Sequence, residues 1–309
     1  ASNDPTGITW YAVFLGYPVL GVWYWGTDQT IVQKTLGARS VRDGQLGAVF
    51  AGALKILPLF FMVLPGVLGY VLFQDIIDQP NETLLVMIQE LLPAGLKGLL
   101  AAGLLAAVMS TVESALNSTA TVVAEDIVKR MRPKTSDRAL VLIGRITAGV
   151  VIILAIFWSP FGGKFVSIFE AINKIPMMFA PAITCVFVFG VFWKRGTKEA
   201  AVTTLIFGLT IGVAYFLVDL PAFGDTRLVA DDWGIPFMQV GWWLFCLCSV
   251  VYIGTSLLTA APSREQLEAI HWEPPLKTLF KTRITGLTDP RAVSMGLLVL
   301  MAILYYWLR

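Results

Sequence analysis

Residues 16–36, GYPVLGVWYWGTDQTIVQKTL, interrupt an apolar run with helix-weakening residues and then turn polar. The helix-weakening residues are Gly16, Pro18, Gly21 and Gly26. Glycine adds backbone freedom and proline removes a backbone donor, so both leave main-chain polar groups short of partners. The stretch therefore predicts a helix that is broken within 16–26, beside three aromatic residues and Asp28.

The composition of the whole chain indicates that this helix crosses a membrane. Hydrophobic residues make up 56% of the 309 and charged residues only 14%, and the mean hydropathy is +0.73. Soluble domains carry about 25% charged residues. Eight apolar runs approach or exceed the length of about 20 residues that spans a bilayer: 9–32, 44–73, 98–127, 139–158, 164–192, 198–218, 236–259 and 293–308. Because the alternating pattern of transmembrane strands is absent from the sequence, we predict an all-α fold in the lipid bilayer.

The basic residues predict which helix ends face the cytoplasm. Four connections, near 33–45, 125–145, 194–199 and 260–291, hold 17 of the 23 Lys and Arg residues. Cytoplasmic loops are enriched in basic residues, so these connections are predicted to be cytoplasmic and both chain ends external. The basic clusters are thereby explained as topology signals, and nucleic acid is not expected as a partner.

The residue types inside the predicted spans argue against an enzyme. The single histidine, His271, lies in a predicted cytoplasmic loop, so the spans offer no histidine-based catalytic site and no zinc site. Asp28 has no second intramembrane aspartate with which to form a catalytic dyad. A glycine-rich phosphate loop is also absent from the sequence. We therefore expect no catalytic residues.

Among the ionisable groups inside predicted spans, we single out Asp28, Lys55, Glu113, Glu170 and Lys174. An unpaired charge is costly at mid-bilayer, so such groups normally face a cavity and mark a pathway. Structural alternatives stay open for some of them. Glu170 and Lys174 are four residues apart and can neutralise one another, and Asp28 lies near a helix end that it can cap.

The third span, GLLAAGLLAAVMSTVESALNSTATVV at 98–123, carries a stripe of oxygen-bearing side chains. One helix face holds, at spacings of 4, 3 and 4, Ser110, Ser114, Asn117 and Thr121. Clustered hydroxyl and carbonyl oxygens can replace the water shell of a hard monovalent cation. The alternative is close helix packing, with each hydroxyl bonded back to its own helix. We favour a cation site.

These features favour a secondary transporter over a channel. Discontinuous helices form binding sites in secondary transporters, and the aromatic faces at 23–25 suit stacking on a sugar ring or closing over a substrate. An interfacial aromatic belt would leave the helix-weakening residues unexplained. The sequence contains no repeated filter loop of the kind that channels use.

Residues 23–39, WYWGTDQTIVQKTLGAR, resemble the sodium/solute symporter family, and most closely its sodium/glucose cotransporter branch. Further similar stretches follow in the same order: GALKILPLFFMVLPG at 52–66, LPAGLKGLLAAGLLAAVMSTVESALNSTATVVAEDIVKR at 92–130, GR at 144–145 and FWKRGTKEAA at 192–201. The resemblance implies a leucine-transporter-type fold, built as an inverted repeat. Residues 1–192 would then form the second repeat, with five spans, and 193–309 the peripheral transmembrane helices and a cytoplasmic loop. The first repeat is expected outside this chain.

The resemblance also implies an aromatic gate for a sugar site. Tyr24 matches the aromatic residue that closes the cytoplasmic side of that site. Trp25 matches the ring beneath the sugar, and Trp23 the aromatic before the gate. Asp28 matches a polar residue near the gate.

Two further residues are implied to contact the substrate. Lys55 matches a lysine that hydrogen-bonds sugar hydroxyls. Asn173 stands where the family has a sugar-binding glutamine, and its shorter amide should still bond a hydroxyl. Gly21 stands where relatives often carry a polar contact, which leaves the identity of the substrate open.

For sodium, the resemblance points to the carbonyl of Ala107 and the hydroxyls of Ser110 and Thr111. Glu113 and Ser114 align with a region that forms a second cation site in some members. A carboxylate at 113 is unusual there. A cation ligand, a proton site and a partner for a basic group elsewhere all stay open for it.

We therefore predict a sodium-coupled symporter that imports a sugar or related polyol by alternating access. Two alternatives stay open: a sodium symporter for a carboxylated solute, such as sialic acid, an amino acid or a vitamin, and a transporter-like sensory module. The predicted location is the cell membrane, with several spans. The lack of extra domains and paired cysteines favours a bacterial inner membrane.

Overall fold

The computed structural model describes residues 9–160, 165, 168–220, 227–272, 286 and 288–307. These residues form thirteen α-helices and contain no strand. The helices are α1 Trp10–Gly26, α2 Gln29–Leu36, α3 Val41–Leu54, α4 Leu64–Leu72, α5 Thr83–Leu91, α6 Ala94–Thr121, α7 Asp137–Trp158, α8 Ile168–Met177, α9 Ala180–Phe192, α10 Lys198–Val218, α11 Phe237–Leu258, α12 Arg264–Ile270 and α13 Pro290–Trp307. Short π-helical segments lie at Leu59–Val63, Val122–Lys129 and Leu228–Asp232. The all-α prediction is confirmed.

Among the described residues, six helical stretches are long and apolar enough to cross a membrane. They are Val41–Leu72, Ala94–Lys129, Asp137–Trp158, Lys198–Val218, Phe237–Leu258 and Pro290–Trp307. α8 and α9 are bent by 49° at their junction and give a seventh if they form one broken span. The sequence predicted eight spans. The remaining one corresponds to α1, whose 17 residues stand at the short end of the spanning range of about 17–25.

The chain divides into two compact units. Unit 1 comprises Ala1–Val49 and Lys164–Arg309, and unit 2 comprises Phe50–Gly163. In unit 1, α1 and α9 pack against α11, which also packs against α10. One buried apolar cluster there contains Ala12, Leu20, Met177, Ala180, Phe237 and Met238. A second contains Ala182, Cys185, Ala200, Cys248 and Tyr252.

α1 continues through the glycines and the proline, so the prediction of a break within 16–26 is wrong. Pro18 lies inside the helix. The next carbonyl, that of Val19, accepts a hydrogen bond of 2.8 Å from the Thr184 hydroxyl of α9. The neighbouring helix thus adds a polar contact beside the proline, and tertiary packing holds a helix that contains a poor helix former.

Two glycines of unit 1 allow helices to approach main chain to main chain. A Cβ atom on Gly16 of α1 would lie 2.2 Å from the carbonyl oxygen of Met238 in α11. A Cβ atom on Gly212 of α10 would lie 1.8 Å from the carbonyl oxygen of Met178, between α8 and α9. Neither position has room for a side chain. Gly16 therefore serves close packing, as small residues do between membrane helices.

The fifth predicted span is the one that breaks, between α8 and α9. Two prolines flank the break, Pro176 inside α8 and Pro181 in the first turn of α9. Proline has no backbone N–H, so both positions remove a helical hydrogen bond. A tight turn replaces the helix there, with the Phe179 N–H donating to the Pro176 carbonyl at 3.0 Å.

Unit 2 buries little of its apolar surface. Its longest helix, α6, packs on α7 and has Ser118 as its buried residue. The most apolar 18 residues of Ala94–Lys129 include none that is buried in the structure. Exposed apolar surface of this extent is typical of helices that contact lipid or other transmembrane helices.

Candidate functional site

The three predicted gate aromatics form the last turn of α1. Trp23 is half-buried and packs on the first apolar cluster of unit 1, with its ring centroid 5.2 Å from that of Phe179. Tyr24 lies edge-on to Trp25, at 5.4 Å between centroids and an interplanar angle of 90°. Trp25 is 45% exposed. The solvent exposure of the rings therefore increases from Trp23, which is packed, to Trp25, which is exposed.

α1 ends immediately after these aromatics. The Trp23 carbonyl accepts hydrogen bonds from the Thr27 hydroxyl at 2.7 Å, from the Thr27 N–H at 2.9 Å and from the Asp28 N–H at 3.0 Å. Such shared acceptance is common at helix ends, where carbonyls lack helical partners. α1 therefore ends directly after the aromatics, at Gly26, and the main chain turns there toward α2.

Asp28 caps α2. Its Oδ1 accepts from the Thr30 N–H at 2.8 Å and from the Thr30 hydroxyl at 2.6 Å. An aspartate at this position satisfies a free helix N–H and places its negative charge at the positive end of the helix dipole. The geometry is that of the capping alternative, and it holds the carboxylate next to the aromatic turn.

The other two predicted substrate residues lie on different units. Asn173 is half-buried on α8 in unit 1, and its Nδ2 donates to the Phe169 carbonyl at 2.8 Å. Lys55 is exposed in unit 2, at the turn where α3 ends. Within unit 1 the structure places Trp23 of α1 against Phe179, which lies six residues beyond Asn173.

Phe179 was missed by the sequence prediction, although a signal for it exists. The segment KIPMMFAP, residues 174–181, places two prolines five positions apart inside an apolar run. Such spacing predicts an unwound turn between the prolines. An aromatic residue in that turn is therefore a candidate to pack against the end of another helix in the same unit.

The predicted sodium ligands lie together on α6 in unit 2. The Thr111 hydroxyl donates to the Ala107 carbonyl at 3.1 Å, and the Ser114 hydroxyl donates to the Ser110 carbonyl at 3.1 Å. These are the bonds of the packing alternative. A hydroxyl that donates its hydrogen still has lone pairs for a cation, so the bonds are compatible with a site. Three of the oxygens, from Ala107, Ser110 and Thr111, fall within about one helical turn.

The possible second cation residues are placed beside this group. Glu113 is exposed on α6, and Ser114 is half-buried one position later. The carboxylate, the hydroxyl and the carbonyl are all hard oxygen donors. All the donors described here come from one helix, so a cation would take its remaining ligands from other parts of the protein.

Charged residues of unit 1 form a buried network that the sequence prediction found only in part. Glu170 and Lys174 are paired, as the structural alternative predicted, with 3.4 Å between Oε1 and Nζ. Lys174 lies closer to Asp219, 2.6 Å from its Oδ2. The Arg227 Nη1 lies 2.7 Å from the Glu170 Oε1. Asp219 and Arg227 lie between the predicted spans 198–218 and 236–259. The signal for them was that a buried lysine needs a partner.

The network ends outside the spans. The Arg227 N–H donates to the Asp231 Oδ2 at 2.9 Å, and this hydrogen bond lowers the pKa of the Asp231 carboxyl below its usual value. The same carboxylate accepts from the Arg227 guanidinium at 3.2 Å. Asp231 is therefore ionised at neutral pH and holds one end of the network.

The comparisons with known proteins agree with this architecture. A model of the sodium:solute symporter family matches residues 3–208. The chain belongs to this family. A sodium/mannose cotransporter from Bos taurus is 34% identical over 296 residues, covering 87% of this chain and 49% of the relative. Sodium/myo-inositol cotransporter 2 from Mus musculus is 31% identical, covering 87% and 44%, and sodium/glucose cotransporter 4 from Danio rerio is 31% identical, covering 87% and 45%.

Membership of the sodium:solute symporter family confirms the resemblance found in the sequence. The residues that match the family model include every predicted site residue of this chain, from Trp23 to Asn173. The chain spans about half the length of the curated relatives it matches. It is a multi-pass membrane protein.

Proposed function

We propose that the protein containing this chain is a sodium-coupled secondary active symporter that imports a sugar or related polyol by alternating access. The observation that carries the proposal is the match to the sodium:solute symporter family. The relatives reported above are named for sodium-coupled transport of mannose, myo-inositol and glucose, which supports a polyhydroxylated substrate. The protein is then a transporter and not an enzyme.

The aromatic end of α1 is proposed to form one wall of the substrate site. Trp23 packs on Phe179, which suits a fixed wall. Trp25 is exposed, which suits a ring that stacks on the apolar face of a sugar. Tyr24 is proposed as the gate, because its hydroxyl can bond the substrate and its ring rests on Trp25.

Polar residues are proposed to bind the substrate hydroxyls. The Asn173 amide can exchange its bond to the Phe169 carbonyl for a bond to a sugar hydroxyl. Lys55 carries an ammonium group, which donates to hydroxyls, and its assignment rests on the resemblance. Asp28 is proposed as the polar residue beside the gate, held in place by Thr30.

Sodium is the proposed coupling ion. Ala107, Ser110 and Thr111 are proposed as ligands on α6, with Glu113 and Ser114 as a possible second cation site. If sodium and the sugar both favour the same conformation, each raises the affinity for the other. The membrane potential adds about 2.3 kcal/mol per charge per 100 mV to the driving force.

Uptake of labelled sugar by cells that express the full gene tests this function. We expect uptake in sodium buffer and its loss when choline replaces sodium. Competition by neutral sugars, polyols, sialic acid and amino acids separates the substrate classes. Uptake that is unchanged in choline contradicts sodium coupling, and competition by carboxylated solutes alone contradicts a neutral sugar substrate.

The remaining predictions accompany this proposal. Residues 1–192 are proposed as the second inverted repeat, and 193–309 as peripheral helices with a cytoplasmic loop. The bacterial inner membrane stays a prediction, since the relatives reported above are animal proteins. A sensory module is distinguished by the uptake assay, because a sensor would bind the solute without accumulating it.

A further inference from the structure

One face of α8 is buried, and Asn173 lies at its edge. The buried residues are Glu170, Lys174 and Met177, which recur at helical spacing on one side. Ile172, on the other side, is 65% exposed. Asn173 is half-buried and lies about 100° around the helix from Lys174. The rotation of α8 about its axis therefore decides where the Asn173 amide points.

The buried face of α8 is held by a lysine with no exposure to solvent. Lys174 is 0% exposed, and so is its partner Asp219 at the end of α10. The ammonium lies 2.6 Å from the Asp219 Oδ2 and donates to the Asp219 main-chain carbonyl at 2.9 Å. Two contacts to one residue fix both the position and the direction of the lysine side chain. A buried charge of this kind persists only with such partners.

Asp219 is itself fixed by the chain that follows α10. Its Oδ1 accepts hydrogen bonds from the Val229 N–H and the Ala230 N–H, both at 3.0 Å. One carboxylate oxygen thus binds the segment Leu228–Asp232, and the other faces Lys174. Lys174 therefore pairs with a carboxylate that main-chain hydrogen bonds hold in place.

Glu170 gives the same face of α8 a second attachment. Its carboxylate lies 2.7 Å from Arg227, which also pairs with Asp231 at 3.2 Å. Acidic and basic groups alternate along the series Asp231, Arg227, Glu170, Lys174 and Asp219. Each cation therefore lies between two carboxylates, which is the arrangement that buried ions require.

The position of α8 in the chain makes this attachment decisive. α8 has only 10 residues and ends at the break before Phe179. Because the main chain leaves helical geometry there, the rotation of α8 does not simply continue that of α9. Side-chain contacts on the buried face can therefore set it, and the directed ones belong to Lys174 and Glu170.

We propose that Lys174 is a positioning residue: its ion pair with Asp219 sets the rotation of α8 and so presents the Asn173 amide to the sugar. This inference rests on the proposed function, in which Asn173 binds a substrate hydroxyl. Lys174 does not touch the substrate. Its removal should weaken sugar binding and leave sodium binding in the absence of sugar unchanged.

Uptake by the full gene product, measured over a range of sugar concentrations and normalised to the amount at the surface, tests the proposal. We expect Lys174→Met to raise the sugar KM about tenfold, the loss of one good hydrogen bond, and to leave the sodium half-saturation unchanged when it is measured at saturating sugar. Lys174→Arg should recover most of the affinity because it keeps the charge. Lys198→Met is the matched control, since that side chain is 82% exposed, and it should leave the KM unchanged.

A double variant distinguishes positioning from a separate effect. Asn173→Ala should raise the sugar KM, and adding Lys174→Met to it should raise the KM no further, because both changes remove the same contact. Additive effects of the two changes would overturn the proposal. Asp219→Asn keeps the shape of the side chain and the acceptor Oδ1, so it should raise the sugar KM as Lys174→Met does. If Lys174→Met folds poorly, Asp219→Asn still tests the proposal.

The outcomes separate this inference from the proposed function. Absence of sodium-dependent sugar uptake by the unaltered protein overturns the proposed function and this inference with it. An unchanged KM in Asn173→Ala removes Asn173 from the site and overturns the positioning role as well. A raised KM in Asn173→Ala, with an unchanged KM in both Lys174→Met and Asp219→Asn, leaves the function intact and overturns the positioning role alone.

Discussion

The ring of Trp23 stands edge-on to the ring of Phe179, with centroids 5.2 Å apart and planes at 74°. Trp23 lies in the last turn of α1, and Phe179 lies in the turn between α8 and α9. The contact therefore joins the two places in unit 1 where a helix of the candidate substrate site is interrupted. Edge-to-face pairs of this kind add about 0.5–1.5 kcal/mol to the effect of burial alone.

Phe179→Ala should loosen this junction. We expect it to destabilise the protein by about 2–3 kcal/mol, since an aromatic ring that packs on a core is lost, and to lower its melting temperature in detergent. Phe169→Ala is the control, because that ring on α8 is 42% exposed. Equal melting temperatures for the two variants would contradict a role for the Trp23 contact.

Gly16→Ala and Gly21→Ala should differ in sign. A Cβ atom on Gly16 would meet the Met238 carbonyl, so Gly16→Ala should destabilise unit 1. Gly21 has no heavy atom within 4 Å of such a Cβ, so Gly21→Ala should be neutral or stabilise the helix by up to about 1 kcal/mol. Thermal unfolding of both variants in one detergent checks this. The same shift in both would show that helix propensity, not close packing, governs Gly16.

Asp28→Ala should remove the cap of α2 and cost about 1 kcal/mol. Asp28→Ser should retain most of the stability, because serine also caps helices. Uptake assays then separate capping from a charge at the gate. If capping is what matters, Asp28→Ser transports like the unaltered protein. Loss of uptake in Asp28→Ser at unchanged stability would assign the function to the carboxylate charge.

Removal of two proposed sodium ligands should raise the sodium concentration for half-maximal uptake. We expect Ser110→Ala with Thr111→Ala to raise it at least about tenfold, since two oxygen donors are lost and each tenfold change is about 1.4 kcal/mol. Thr119→Ala is the matched control. Its hydroxyl also bonds back along α6, to the Ala115 carbonyl at 2.9 Å. An unchanged sodium dependence in the double variant would move the site away from these residues.

Local sequence patterns predicted the helices, but they did not predict which glycines pack against another helix. The apolar runs gave the membrane fold, because length and hydropathy decide whether a helix can span. The glycines at 16 and 21 look alike in the sequence, yet only Gly16 faces the main chain of another helix. That difference depends on which helix lies opposite, and no local pattern records it. The predicted break within 16–26 was wrong for this reason.

The charged network shows the same limit. The cost of burying Lys174 predicted that it needs a partner, and its spacing from Glu170 identified one. The closer partner, Asp219, lies 45 positions along the chain at the end of another helix. Pairing over such a distance depends on how the helices pack. Sequence reasoning could therefore establish the need for a partner and not the identity of that partner.

The contact of Gly16 with Met238 has a mechanical consequence. A side chain can change rotamer when two helices slide past each other, but a main-chain carbonyl lodged against a glycine cannot. We therefore expect α1 and α11 to move together, so that a tilt of one displaces the other. A helix predicted to lie outside the inverted repeat would then move with a helix predicted to lie within it.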